Sequence, residues 1–149
     1  DMAAKAVAKA KGKVAVGATY LAMEGPQFST RAESRMYRDW GADVIGMTAM
    51  PEAKLAREAE LPYALVGMVT DYDCWRDGEA VDVAQVVEQM QSNGALARAM
   101  VANFIAALPQ QREASPIDTA LDNAVITASE ALDPEVLAKL DAVAGRLFG

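Results

Sequence analysis

The stretch "ADVIGMTAMPEAKLAREAELPYALVGMVTDYDCW", residues 42–75, holds two apolar runs on either side of a helical pattern. Ala42 to Thr48 reads as a short strand. Pro51-Glu52 then opens a helix running to about Glu60, with proline at a helical entry and an acid in the first turn. Tyr63 to Thr70 reads as a second strand that ends abruptly in Asp71-Tyr72-Asp73. Strands alternating with helices predict an α/β fold with a mixed, largely parallel sheet flanked by helices.

The flanking sequence extends the same alternation. Met2 to Lys11 reads as a helix closed by Gly12. Lys13 to Met23 is a strand candidate stopped by the Gly25-Pro26 loop. Thr30 and Glu33 carry the capping-box spacing and open a helix to Trp40, with Gly41 behind it. Asp82 is placed to cap a long helix from Val83 towards Leu108, weakened in its middle by Gly94. Residues 109–116 form a polar linker. A short helix is expected over Ile117 to Ile126, and Asp133-Pro134 opens a last one towards Phe148. Residues 1–108 thus read as the α/β part and 109–149 as a linker with terminal helices. These pack on the same domain or on a neighbouring subunit.

Composition narrows the function. The chain has 149 residues, 52% hydrophobic and 23% charged, as expected for a globular domain with a sizeable core. A net charge of −7 argues against duplex nucleic acid or an anionic membrane as partner. There is no histidine, which removes the commonest general base and metal ligand, so neither a metal site nor a Ser-His triad is expected. Cys74 is the one cysteine, which fits a reducing cytoplasm. No apolar run approaches the ~18 residues of a membrane span. The opening "DMAAKAVAKAKGK" has no apolar core of a signal peptide and reads as a helix entered partway, so residues upstream are expected.

Three strand ends carry chemistry: "EGPQFST", "GMTAMPE" and "VTDYDCW". Ligands of α/β folds bind at the carboxyl ends of strands, so Phe28, Met47, Thr48, Asp71 and Asp73 read as one site. On a strand, residues i and i+2 share a face, which would turn both acids into one space. Such a pair either stands in solvent at a turn or faces a ligand rich in hydrogen-bond donors.

At these motifs the sequence resembles 5′-methylthioadenosine phosphorylases of the trimeric purine nucleoside phosphorylase family. The resemblance is close from Thr19 to Trp75, looser over Val83 to Leu108 and weak beyond Pro109. It implies the C-terminal half of a larger α/β domain and a homotrimer. It also implies phosphate-dependent cleavage of an N-glycosidic bond, giving adenine and 5-methylthioribose 1-phosphate. No cofactor is implied, since inorganic phosphate is a co-substrate.

The resemblance also assigns roles. Phe28 would lie against the purine, Met47 under the ribose, and Thr48 on phosphate or the 2′-hydroxyl, near a helix N-terminus suited to an anion. Asp71 would face N7 and supply its proton as general acid, helped by a second carboxylate that disfavours double ionisation. Asp73 would accept from the 6-amino group. Ser29 stands where the 6-oxopurine branch has a glutamate, in keeping with adenine. Val83, Val86 and Val87, at i, i+3 and i+4, would wall the 5′-methylthio group. Each has a plainer reading: Phe28, Met47 and the valines as packing, Thr48 as a helix cap, the acids as a solvated turn.

Two departures stand out. Gly46 replaces an asparagine found before Met-Thr in this branch, and the family's phosphate cradle has no counterpart in these residues. A phosphorylase acting on inosine or methylthioinosine, and a non-catalytic purine-binding or assembly module, remain the competing readings. A dinucleotide-binding fold is disfavoured because no Gly-rich fingerprint follows a strand. The apolar segment "TALDNAVIT", residues 119–127, is the expected point of reach across a subunit interface.

Overall fold

A computed structural model describes residues 1–73 and 83–148. The chain divides into two compact units. The first comprises Asp1–Met47 and Leu65–Gln110, the second Thr48–Ala64 and Gln111–Gly149.

The first unit is built around helix α1 (Met2–Lys9) and the long helix α4 (Val83–Ala107), which pack together. Ala6 and Val7 are buried on α1, and Asn103 Nδ2 of α4 donates to the Ala6 carbonyl at 3.4 Å. The end of α1 differs from expectation. Lys11, with φ of 63°, takes the left-handed position in place of Gly12. Gly12 N then donates to Val7 O at 3.0 Å and Lys11 N to Ala8 O at 2.9 Å, a Schellman closure. Glycine is needed at position 12 for space: a β-carbon there would meet Val7 Cγ1 at 2.8 Å and Leu96 Cδ2 at 3.0 Å.

Strands β1 (Tyr20–Ala22) and β2 (Val44–Gly46) pair in parallel, with Tyr20 opposite Val44 and Ala22 opposite Gly46. Between them runs α2 (Arg31–Asp39), giving a βαβ crossover of the expected kind. Its capping box forms as read: Thr30 N donates to Glu33 Oε2 at 2.6 Å and Glu33 N to Thr30 Oγ1 at 3.3 Å. Gly41, at φ of 83°, closes the helix as read.

Both strands are shorter than the sequence implies. Gly17, with φ of 76°, breaks the run from Lys13, and the ladder begins only where Thr19 meets Asp43. The expected strand Tyr63–Thr70 is not assigned. Among the described residues the sheet consists of β1 and β2 alone, and a strand exists only through such pairing. The expected capping of α4 by Asp82 lies outside the described residues.

In the second unit, α3 spans Glu52–Glu58 and α5 spans Pro134–Ala144. Asp133 caps α5 by accepting from Glu135 N at 2.8 Å, as its Asp-Pro signature implies. The helix expected over residues 117–126 is instead a single 3₁₀ turn, Pro116–Thr119, followed by turns. Ser115 and Asp118 cap that turn reciprocally and satisfy its first amides, which favours a short element. Glu60, at φ of 52°, sends its carboxylate to Arg146 Nε at 2.8 Å and to Leu121 N at 3.0 Å. The end of α3 is thereby tied to the C-terminal residues.

The core is thinner than the length suggests. Among the described residues only Ala6, Val7 and Ala49 are buried apolar side chains. Large apolar groups stand open instead along α4, including Val83, Val87, Met90, Val101 and Ile105. No helix among the described residues is long and apolar enough to cross a membrane.

Candidate functional site

The parallel pairing of β1 and β2 brings their carboxyl ends to one edge of the sheet. Met23 N donates to Gly46 O at 2.9 Å and carries the pairing one step beyond β1. The "EGPQF" loop and Met47 meet there: a β-carbon on Gly25 would lie 3.1 Å from Met47 Sδ. Two of the three strand ends singled out in the sequence are therefore neighbours. Met47 is half-buried, whereas Phe28 is 79% exposed and presents its ring to solvent.

Ser29 and Ser34 fix the loop that carries Phe28. Their hydroxyl oxygens lie 2.9 Å apart, and either can donate. Ser34, early in α2, is only 2% exposed and is the one buried polar residue among those described. Thr30, the next residue after Ser29, is held by the capping box. Sequence reading passed over Ser34, since a serine inside a helix carries no local signal. The spacing Ser29-x₄-Ser34 across a helix start was the available hint.

The acid pair takes a form that strand geometry did not anticipate. Asp71 Oδ2 accepts from Thr70 Oγ1 at 2.7 Å, and Asp71 Oδ1 accepts from Asp73 N at 2.9 Å. Asp73 has φ of 55°, left-handed backbone that aspartate tolerates through such local bonding. The two acids thus form a side-chain-to-backbone turn and do not alternate along a strand. Asp71 is exposed and Asp73 half-buried. Upstream, Val69 O accepts from Asn93 Nδ2 of α4 at 3.0 Å, anchoring the approach to this turn. Trp75 and Cys74, which follow it, lie outside the described residues.

The remaining candidates are distributed as follows. Val83 and Val87 open α4 on an exposed face, at 70% and 47% exposure, with Val86 half-buried. Thr48 is exposed and belongs to the second unit. Pro51, and no threonine side chain, occupies the cap position of α3, so Thr48 is not that helix's side-chain cap. Among the described residues no cluster of histidine, cysteine or acid groups could hold a metal ion.

Known proteins resemble the chain closely. It is 57% identical over 147 residues to the S-methyl-5′-thioadenosine phosphorylase of Bradyrhizobium diazoefficiens, covering 96% of this chain and 50% of that protein. The enzyme of the same name from Cereibacter sphaeroides is 57% identical over 136 residues, covering 89% and 47%. Among solved structures, a methylthioadenosine phosphorylase from an antarctic soil metagenomic library superposes with a TM-score of 0.82 at 41% identity, covering 96% and 51%. The Schistosoma mansoni methylthioadenosine phosphorylase in complex with adenine matches with a TM-score of 0.61 at 35% identity, covering 70% and 37%. The chain spans about half the length of the two curated relatives and of the metagenomic enzyme. The phosphorylase superfamily model matches residues 2–106, and the chain belongs to that superfamily.

Proposed function

We propose that the intact protein cleaves 5′-methylthioadenosine with inorganic phosphate, giving adenine and 5-methylthioribose 1-phosphate. The observation that carries this reading is the 57% identity to the Bradyrhizobium enzyme over 96% of the chain. The C1′–N9 bond breaks, a phosphate oxygen bonds to C1′, and the bonding pair departs with the base. Asp71 delivers the proton that N7 takes up, and Asp73 accepts from the 6-amino group. A 6-oxo group would face that carboxylate acceptor to acceptor. Phe28 covers the purine, Met47 floors the pentose, and Thr48 meets phosphate or the 2′-hydroxyl. Val83, Val86 and Val87 take the methylthio group, which leaves a 5′-hydroxyl unpaired there.

Phosphate needs more donors than Thr48, and they come from the rest of the protein. The open apolar side chains of α4 accord with a chain that packs against further residues. A cytoplasmic homotrimer completes the proposal, with residues 119–127 reaching to a neighbour; Ile126, at 95% exposure, is free to do so.

The test is an assay of the intact protein with methylthioadenosine and with inosine, each with and without phosphate. Phosphate-dependent release of adenine is the expected result. Preference for inosine would favour the 6-oxopurine reading. Binding of adenine without turnover would favour a non-catalytic purine-binding module.

A further inference from the structure

We propose that α5 and the 3₁₀ turn behind it (Gly145–Leu147) form a strap, which Arg146 latches onto Glu60 at the end of α3 and which opens while α3 stays folded. Strap and latch lie within the second unit and are independent of the reaction the protein performs. Glu60 is an unexpected residue for its backbone. A Schellman closure ends α3, with Leu61 N donating to Ala56 O at 2.8 Å and Glu60 N to Arg57 O at 3.1 Å. Glu60 takes its left-handed position, at φ of 52°, where glycine fits without cost and glutamate does not. Such a conformation persists where surrounding contacts over-determine it. Here those contacts fall on the carboxylate.

Arg146 grips Glu60 as a fork, Nε donating to Oε2 at 2.8 Å and Nη2 to Oε1 at 2.6 Å. Leu121 N also donates to Oε1 at 3.0 Å, and the Glu60 side chain is left only 12% exposed. The same Arg146 Nη2 reaches Asp122 Oδ1 at 2.7 Å, so one guanidinium joins the strap to two other segments. Apolar burial adds little to that attachment. No side chain of α5 is buried, and the stripe of Val136, Leu140 and Val143 stands open. Among the described elements α5 packs mainly on its own 3₁₀ turn. A segment held by a charge-assisted fork over little apolar area opens below the cost of global unfolding.

Amide hydrogen exchange of the intact protein, read by mass spectrometry, tests this with Arg146→Ala, Glu60→Gly and the double variant. Arg146→Ala should speed exchange of the α5 amides roughly 3- to 10-fold and leave those of α3 unchanged. Glu60→Gly should speed α5 to a similar extent, although it relieves the left-handed backbone. The double variant should exchange no faster than Arg146→Ala alone, because both substitutions remove one latch. If Arg146→Ala does not accumulate as folded protein, Arg146→Lys replaces it, keeping the charge without the fork, with a smaller acceleration expected. Equal acceleration in α3 and α5 overturns the strap, since the two would then open as one body. Unchanged exchange in α5, or additive acceleration in the double variant, overturns the latch.

Discussion

The phenol of Tyr20 fills the space in front of Gly46. A β-carbon at position 46 would lie 2.9 Å from Tyr20 Cζ and nearer still to its hydroxyl oxygen. Tyr20 stands opposite Val44 on the paired strand and leans along it towards Gly46. The glycine that departs from the Asn-Met-Thr pattern is thus matched to a tyrosine on the next strand. Gly46→Asn should lower stability by about 1–3 kcal/mol through overpacking. Tyr20→Val in the same protein should restore most of that loss. Urea denaturation of the two single variants and the pair measures the coupling. Equal stability of Gly46→Asn and wild type would mean that Tyr20 turns aside freely.

Asp71→Asn should depress cleavage of methylthioadenosine by roughly 10²–10⁴-fold, the range of a lost general acid. The amide oxygen can still accept from Asp73 N, and the amide NH2 can donate to the Thr70 hydroxyl once that hydroxyl turns, so the local turn should persist. Circular dichroism checks the fold and steady-state kinetics the loss. Because an amide can donate to a 6-oxo group, activity on inosine should fall less or rise. Turnover at the wild-type rate would remove Asp71 from the chemistry.

Val83 opens α4 with its side chain 70% exposed, so a polar replacement meets little packing penalty. Val83→His should shift preference from methylthioadenosine towards adenosine by offering the 5′-hydroxyl a partner. One apolar contact is worth about 1–3 kcal/mol, which sets the scale of the change. The ratio of kcat/KM values for the two nucleosides measures it. An unchanged ratio would show that this valine packs and does not select.

The second unit has an acid-sensitive pair. Hydrogen bonding from Arg112, and then from Ser115 N, holds the Asp118 carboxyl down from 3.8 to about 2. A folded-state value below the unfolded one means that the stabilisation is fully present above about pH 4. It is lost as the pH falls through about 2. Asp118→Asn should therefore flatten the pH dependence of stability across that window, as read from urea midpoints at a series of pH values. An unaltered slope would show that Arg112 and Asp118 do not hold together in solution.

Local signals in the sequence translated well. The capping box at Thr30, the Asp133-Pro134 start and the left-handed glycine after Trp40 each depend on residues within a few positions. Strand extent did not translate. A strand is defined by neighbours distant in sequence, and residues 63–70 have no described strand beside them. Gly17 was visible in the run from Lys13, but its left-handed backbone was not. At the site, the strand ends pointed to the shared edge near Met47 and Gly25. The turn at Asp71 overrode the expected alternation because a short acid side chain can bond its own backbone. Ser34 and Tyr20 stayed silent because each matters only through a residue brought near by folding.

The docking of α1 on α4 has a consequence for synthesis. Ala6 and its hydrogen-bond partner Asn103 are 97 positions apart. At translation speeds of about 5–20 residues per second, α1 is made roughly 5–20 s before its partner. During that interval Ala6 and Val7 lack the α4 face against which α1 packs in the folded unit. The stretch is short, rich in alanine and punctuated by lysines, which keeps it a poor nucleus for aggregation while it waits.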